Sequence, residues 1–124
     1  MIKVCKFGGT SMANAFAMAK VKEIILSDKS RKFVVVSAPG KRDKNDIKIT
    51  DTLYKCYDEI EKDGNCQKTF SLIRERFVEI VKDLKLSIDI NAILDQTEKE
   101  MNEQKSKDFC ASRGEYLSAI VMAE

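Results

Sequence analysis

"KVCKFGGTSM", residues 3–12, decides the fold. A short apolar run ends at Phe7, Gly8 and Gly9 break it, Thr10 and Ser11 follow, and a helical pattern begins. A glycine pair between a strand and a helix lets the backbone come close to a ligand. The helix N-terminus behind it offers free amides and partial positive charge, which suits an anion such as phosphate. Lys6 adds a full positive charge, and Thr10 and Ser11 add hydroxyl donors. The spacing is neither that of a GxxxxGK[ST] loop nor that of GxGxxG. The same residues also read as a plain tight turn with a helix cap and a lysine reaching for solvent, because glycine turns after strands are common.

Working outward, residues 2–7 are predicted as a strand and residues 11–26 as a helix, capped by Thr10 or Ser11. Ala13, Phe16, Ala17, Val21, Ile24 and Ile25 recur at helical spacing in that stretch. "KFVVVSAPG", residues 32–40, holds a β-branched run closed by Ser37, Pro39 and Gly40. It reads as a strand over residues 33–37, buried on both faces of a sheet. Strand, helix and strand in this space make a βαβ unit, with parallel strands and a right-handed crossover. The sign-alternating "GKRDKNDIK", residues 40–48, is a solvated loop.

Helix dominates beyond it. Ile49, Leu53, Cys56, Tyr57 and Ile60 form one stripe, stopped at Gly64. Phe70, Ile73, Phe77, Ile80, Val81 and Leu84 form a second, very regular one. Ile90, Ile93, Leu94, Thr97 and Met101 form a third. "FCASRGEYLSAIVMAE", residues 109–124, begins a last helix, apolar at Leu117, Ile120 and Val121. It lacks a glycine or proline stop and places Glu124 at the negative end of the helix dipole. Two strands are a small sheet for so many helices. The expectation is therefore the first part of a longer protein, whose uncovered strand and final helix self-associate when it stands alone.

The totals narrow the function. The chain has 124 residues, one ordinary domain at most, with 44% hydrophobic and 34% charged residues. A net charge of +2 without a dense basic patch speaks against a nucleic-acid partner. No apolar run is long enough to span a bilayer and the N-terminus is too polar for a signal peptide, so the expected location is the cytoplasm. The four cysteines, Cys5, Cys56, Cys66 and Cys110, form no Cys-x-x-Cys pair and read as reduced, mostly buried thiols rather than a metal site. Histidine is absent, which removes Ser-His and Cys-His nucleophilic pairs. A nucleophile already ionised at neutral pH fits that limit.

"KFGGTS", residues 6–11, resembles the N-terminal signature of the aspartokinases, in the amino acid kinase superfamily. "VVVSAPG", residues 34–40, is similar to the family's second strand and serine-bearing loop. "KITDTLY", residues 48–54, is similar to its lysine-hydrophobic-threonine motif, and "SRGEYLSA", residues 112–119, to its Arg/His-Gly-Glu helix start. The four motifs occur in order and span essentially the whole chain.

The resemblance implies an α/β, parallel-sheet amino-acid-kinase-like fold with a largely helical second half. Residues 1–124 would be the N-terminal portion of the catalytic domain, without the nucleotide-binding half or the ACT domains that bind lysine or threonine as feedback inhibitors. It implies ATP-dependent phosphorylation of the side-chain carboxylate of L-aspartate. Lys6 would act on the transferring phosphate, with Gly8 and Gly9 close to the phosphates. Thr10, Ser11, Ser37, Thr50 and Glu115 would serve the amino acid, with Glu115 near its ammonium group. Mg²⁺ would be held mostly by substrate phosphates and by residues outside this chain, the fragment alone would be inactive, and the complete protein would be a homo-oligomer.

Bland readings stand beside these. Ser37 would satisfy a strand end, Thr50 would cap a helix, Glu115 would be a solvated first-turn carboxylate, and Arg113 is structural. A sister kinase acting on another carboxylate or carbamate, or a non-catalytic helical interaction module, are the competing functions.

Overall fold

The first strand, β1 (Lys3–Phe7), stops where Gly8 removes the side chains that would continue the pleat. The computed structural model describes all residues 1–124. After β1 come a 3₁₀ turn (Gly9–Met12), α1 (Ala15–Leu26), β2 (Arg31–Val36), α2 (Ile49–Asp63), α3 (Gln67–Asp83), α4 (Ile90–Gln104) and α5 (Lys107–Ala123). β1 and β2 pair in parallel, with Val4 opposite Phe33 and Phe7 opposite Val36. The expected α/β architecture, a parallel sheet followed by a helical second half, is the one observed.

One local expectation and two of the bland readings are corrected. Neither Thr10 nor Ser11 caps α1, and the helix does not begin at Ser11. Both lie in the 3₁₀ turn, where the Ser11 amide donates to Gly8 O at 3.1 Å. The cap is Asn14, whose Oδ1 accepts from the Ala17 amide at 2.9 Å. Thr50 is not a cap either, because α2 already begins at Ile49 behind Lys48. Glu115 is no first-turn carboxylate: Ser106 caps α5, its hydroxyl accepting from the Phe109 amide at 3.2 Å, and Glu115 sits in the helix middle.

The core lies among the helices rather than on the sheet. Phe70, Ile73, Phe77 and Ile80 on α3 are fully buried, and Leu53, Leu94 and Leu117 from α2, α4 and α5 belong to the same buried cluster. Each such side chain contributes roughly 1.5–3 kcal/mol on burial. Gly64 ends α2 as its sequence suggests, at φ +82° with its amide on Ile60 O at 2.9 Å. The apolar positions of α5 are covered too, with Leu117 and Val121 buried and Ile120 half-buried, so that helix presents less surface than expected.

The sheet differs from the expected strand buried on both faces. Val4 is 69% and Phe33 60% exposed, because two strands and the helices of this chain cover little beyond Val36. Cys56, Cys66 and Cys110 are buried and Cys5 half-buried, all four as free thiols. Burial pushes the Cys110 thiol up to about 11, so it stays protonated at neutral pH.

Candidate functional site

Parallel pairing sends both strands out of the same edge, which is where open α/β sheets place ligands. Hydrogen bonds then lock the two exit loops together. The Ser37 amide donates to Phe7 O at 3.1 Å and the Gly40 amide to Gly9 O at 2.8 Å. A Cβ on Gly40 would lie 2.7 Å from Gly9 C and 2.9 Å from Gly9 O, so only glycine permits this approach. The Ile49 amide donates to Pro39 O at 3.0 Å, which brings the start of α2 against the second loop.

α5 closes the remaining side through Gly114, where a Cβ would stand 2.4 Å from Ala38 Cβ. Gly114→Ala is expected to destabilise the fold by about 1–3 kcal/mol, the usual cost of overpacking. Chemical denaturation checks this: the midpoint should fall with the slope unchanged. Adding Ala38→Gly should restore most of the loss, since it removes the clashing methyl group.

These approaches enclose a cavity of about 370 Å³. Gly9, Thr10, Ser37, Thr50 and Glu115 line it, so five residues singled out in the sequence meet at one place although they come from four separate segments. Lys6, Gly8 and Ser11 do not line it. Lys6 is exposed on β1 opposite Val35, on the face away from the half-buried Cys5 and Phe7. Gly8 is open, with nothing within 4 Å of a Cβ placed there.

Lys41 and Lys48 line the same cavity and were missed as site residues. Lys48 opens the quoted "KITDTLY" and so carried a signal. Lys41 sits in a loop whose one sequence signal is its alternating charge. Together they bring two cations to a cavity that holds one carboxylate, Glu115, beside the positive N-terminal end of α2.

Arg76 was missed as well. It sits on the α3 stripe between Ile73 and Ile80 at helical spacing, and a charge at that position was the available clue. Arg76 Nη2 donates to Asp46 Oδ2 at 2.8 Å, and Arg42 Nε donates to the same oxygen at 2.7 Å. The hydrogen bond from Arg42 holds the Asp46 carboxyl well below the usual carboxylate range, and burial draws the Arg76 guanidinium below its ordinary value.

No family model matches the chain. An aspartate kinase of Clostridium acetobutylicum has the same fold over 97% of this chain, with a TM-score of 0.92 and 43% identity. The chain belongs to the aspartokinase family. Aspartokinase 3 of Bacillus subtilis (strain 168) is 40% identical over 89 residues, which is 72% of this chain. E. coli aspartokinase III, solved in complex with aspartate and ADP in the R-state, matches over the full chain with a TM-score of 0.78 and 27% identity. The chain spans 20% of the length of the Bacillus relative and 28% of each of the two solved aspartate kinases.

Proposed function

We propose that this chain is the aspartate- and phosphate-binding front part of an aspartate kinase. In this reading the complete enzyme transfers the terminal phosphoryl group of ATP to the side-chain carboxylate of L-aspartate, the first step of lysine, threonine and methionine biosynthesis. The observation that carries it is the meeting of Gly9, Thr10, Ser37, Thr50 and Glu115 in one cavity, within a chain whose fold matches an aspartate kinase throughout.

The chemistry needs little from the protein beyond placement and charge. The side chain of free aspartate has a reference pKa of about 4, so it is already a carboxylate at neutral pH. One of its oxygens forms a bond to the terminal phosphorus of ATP. The bond from that phosphorus to the bridging oxygen breaks, and ADP leaves with the electron pair. No proton moves, and a chain without histidine loses nothing. Catalysis is then alignment plus stabilisation of charge on the transferring group.

Glu115 pairs with the substrate ammonium group, while Ser37 and Thr50 offer hydroxyls to the amino acid. Thr10 serves the amino acid from the first loop, and Ser11, outside the cavity, supports that loop through its amide on Gly8 O. Lys6 and the Gly8-Gly9 turn face the phosphates. In this reading Mg²⁺, which keeps several waters and needs only one or two carboxylates, is held mostly by the substrate phosphates. The charge stabilisation described is that of lysines and amides. We place the complete protein in the cytoplasm, consistent with four free thiols, and as a homo-oligomer, consistent with the open apolar sheet. No helix is long and apolar enough to cross a membrane.

Isothermal titration of the 124-residue chain tests the aspartate site directly. L-aspartate is expected to bind, and Glu115→Gln to weaken it by about tenfold. This is less than the cost of breaking a fully buried charge pair, because Glu115 is exposed before the ligand arrives. In the complete kinase the same substitution should raise KM for aspartate and leave KM for ATP unchanged. A chain that takes up no L-aspartate would defeat the proposal.

A further inference from the structure

The most buried charged side chain of the molecule has no part in the reading above. We propose that Arg76 is a positioning residue for the aspartate cavity, fixing the 40–47 loop against the first glycine loop so that Lys41, Lys48 and Thr50 stand around the ligand. The inference rests on the aspartate reading of that cavity.

Arg76 is 4% exposed and makes four hydrogen bonds. Nη1 donates to Ala13 O at 3.1 Å and to Gly40 O at 2.8 Å. Nη2 donates to Asp46 Oδ2 at 2.8 Å and to Ile47 O at 3.1 Å. These acceptors are not scattered. Ala13 follows the turn that carries Gly9 and Thr10. Gly40 stands at the cavity wall immediately before Lys41, and Ile47 immediately before Lys48. One planar cation therefore grips both ends of the loop that presents the two lysines, and ties that loop to the other wall.

The loop has few other restraints. Residues 41–45 are all exposed and outside regular structure. Within the loop, Arg42 and Asp46 clasp each other, and Asp46 is also the carboxylate that Arg76 holds. A methionine or leucine at position 76 would continue the Ile73–Phe77–Ile80 stripe without the desolvation cost of a guanidinium. What an apolar side chain cannot supply is a rigid fork of donors that fixes three carbonyls and a carboxylate in one geometry.

The test uses the isotopically labelled 124-residue chain, with amide hydrogen exchange and titration by L-aspartate read on the same samples. Arg76→Lys keeps the charge and loses the fork. The amides of Gly40 and Ile49, which bridge to Gly9 and Pro39, should exchange at least about tenfold faster, while that of Phe77 stays protected. The dissociation constant for L-aspartate should rise about tenfold or more, as expected when binding groups are displaced. Asp46→Asn leaves Arg76 in place and loosens the same loop, so affinity should again fall, by about threefold. Simple electrostatics expects the reverse, since removing a negative charge near an anion site favours the anion. Protection or affinity unchanged in Arg76→Lys would reduce Arg76 to a core anchor and overturn the proposal. If that variant does not fold, unchanged or tighter binding by Asp46→Asn overturns it. A wild-type chain unresponsive to L-aspartate overturns the aspartate reading and this inference together. A responsive wild type with indifferent variants overturns the inference alone.

Discussion

Lys6→Ala in the complete kinase is expected to lower turnover on the order of 10²-fold, with KM for aspartate changed only a few-fold. Lys6 is the penultimate residue of β1, separated from the glycine turn by Phe7 alone, and its side chain is outside the cavity that holds the proposed aspartate groups. In this reading it meets charge that grows on the phosphoryl group during transfer, which is absent from bound aspartate. An interaction made mainly in the transition state is lost from kcat rather than from ground-state binding. Steady-state kinetics with each substrate varied in turn checks the split. Turnover within a few-fold of wild type would leave Lys6 a solvent-facing strand residue.

Gly40→Ala is expected to cost about 1–3 kcal/mol and to weaken aspartate binding at the same time. The added methyl group would meet Gly9 C, Gly9 O and Thr10 N at 2.7, 2.9 and 3.0 Å. All three are backbone atoms, so nothing can swing aside and the two loops must separate. Separation breaks the hydrogen bond from the Gly40 amide to Gly9 O and widens the cavity between them. Thermal melting should fall by several degrees, at about 2–8 °C per kcal/mol for a domain of this size. Gly8→Ala is the contrast, because nothing lies within 4 Å of its Cβ position, and its melting temperature should be unchanged. Equal stability of the two variants would mean that the loop contact at Gly40 is soft.

Much was legible in the sequence because it rests on local or periodic signals. The run ending at Phe7, the β-branched run before Ser37 and the helix between them were enough for a parallel βαβ unit. The α2, α3 and α4 stripes follow from helical spacing, and Gly64 marks a helix end through its left-handed backbone. The four motifs, taken in order, point to the aspartokinase family without any geometry. The local error lies at the start of α1. Thr10 and Ser11, like Thr50 in its bland reading, are chemically able to cap a helix, but which residue does so depends on where the chain turns. Asn14 caps α1, and α2 starts behind Lys48 with no side-chain cap, because the preceding segments are placed by contacts elsewhere.

By itself the sequence determined the element types, the strand–glycine–helix start and a set of candidate residues, since periodicity, turn chemistry and motif order are written along the chain. Tertiary structure alone decided which candidates share a cavity. Gly9, Ser37, Thr50 and Glu115 are brought together by close approaches at Gly40 and Gly114, and a distance between distant segments has no one-dimensional signature. It also decided that the apolar face of β2 stays open while the α5 stripe is covered, because burial depends on what packs against a surface and not on its hydrophobicity. Arg76 joins both lessons. Its position on the α3 stripe could be read, but its acceptors on residues 13, 40, 46 and 47 exist only once the loops have met.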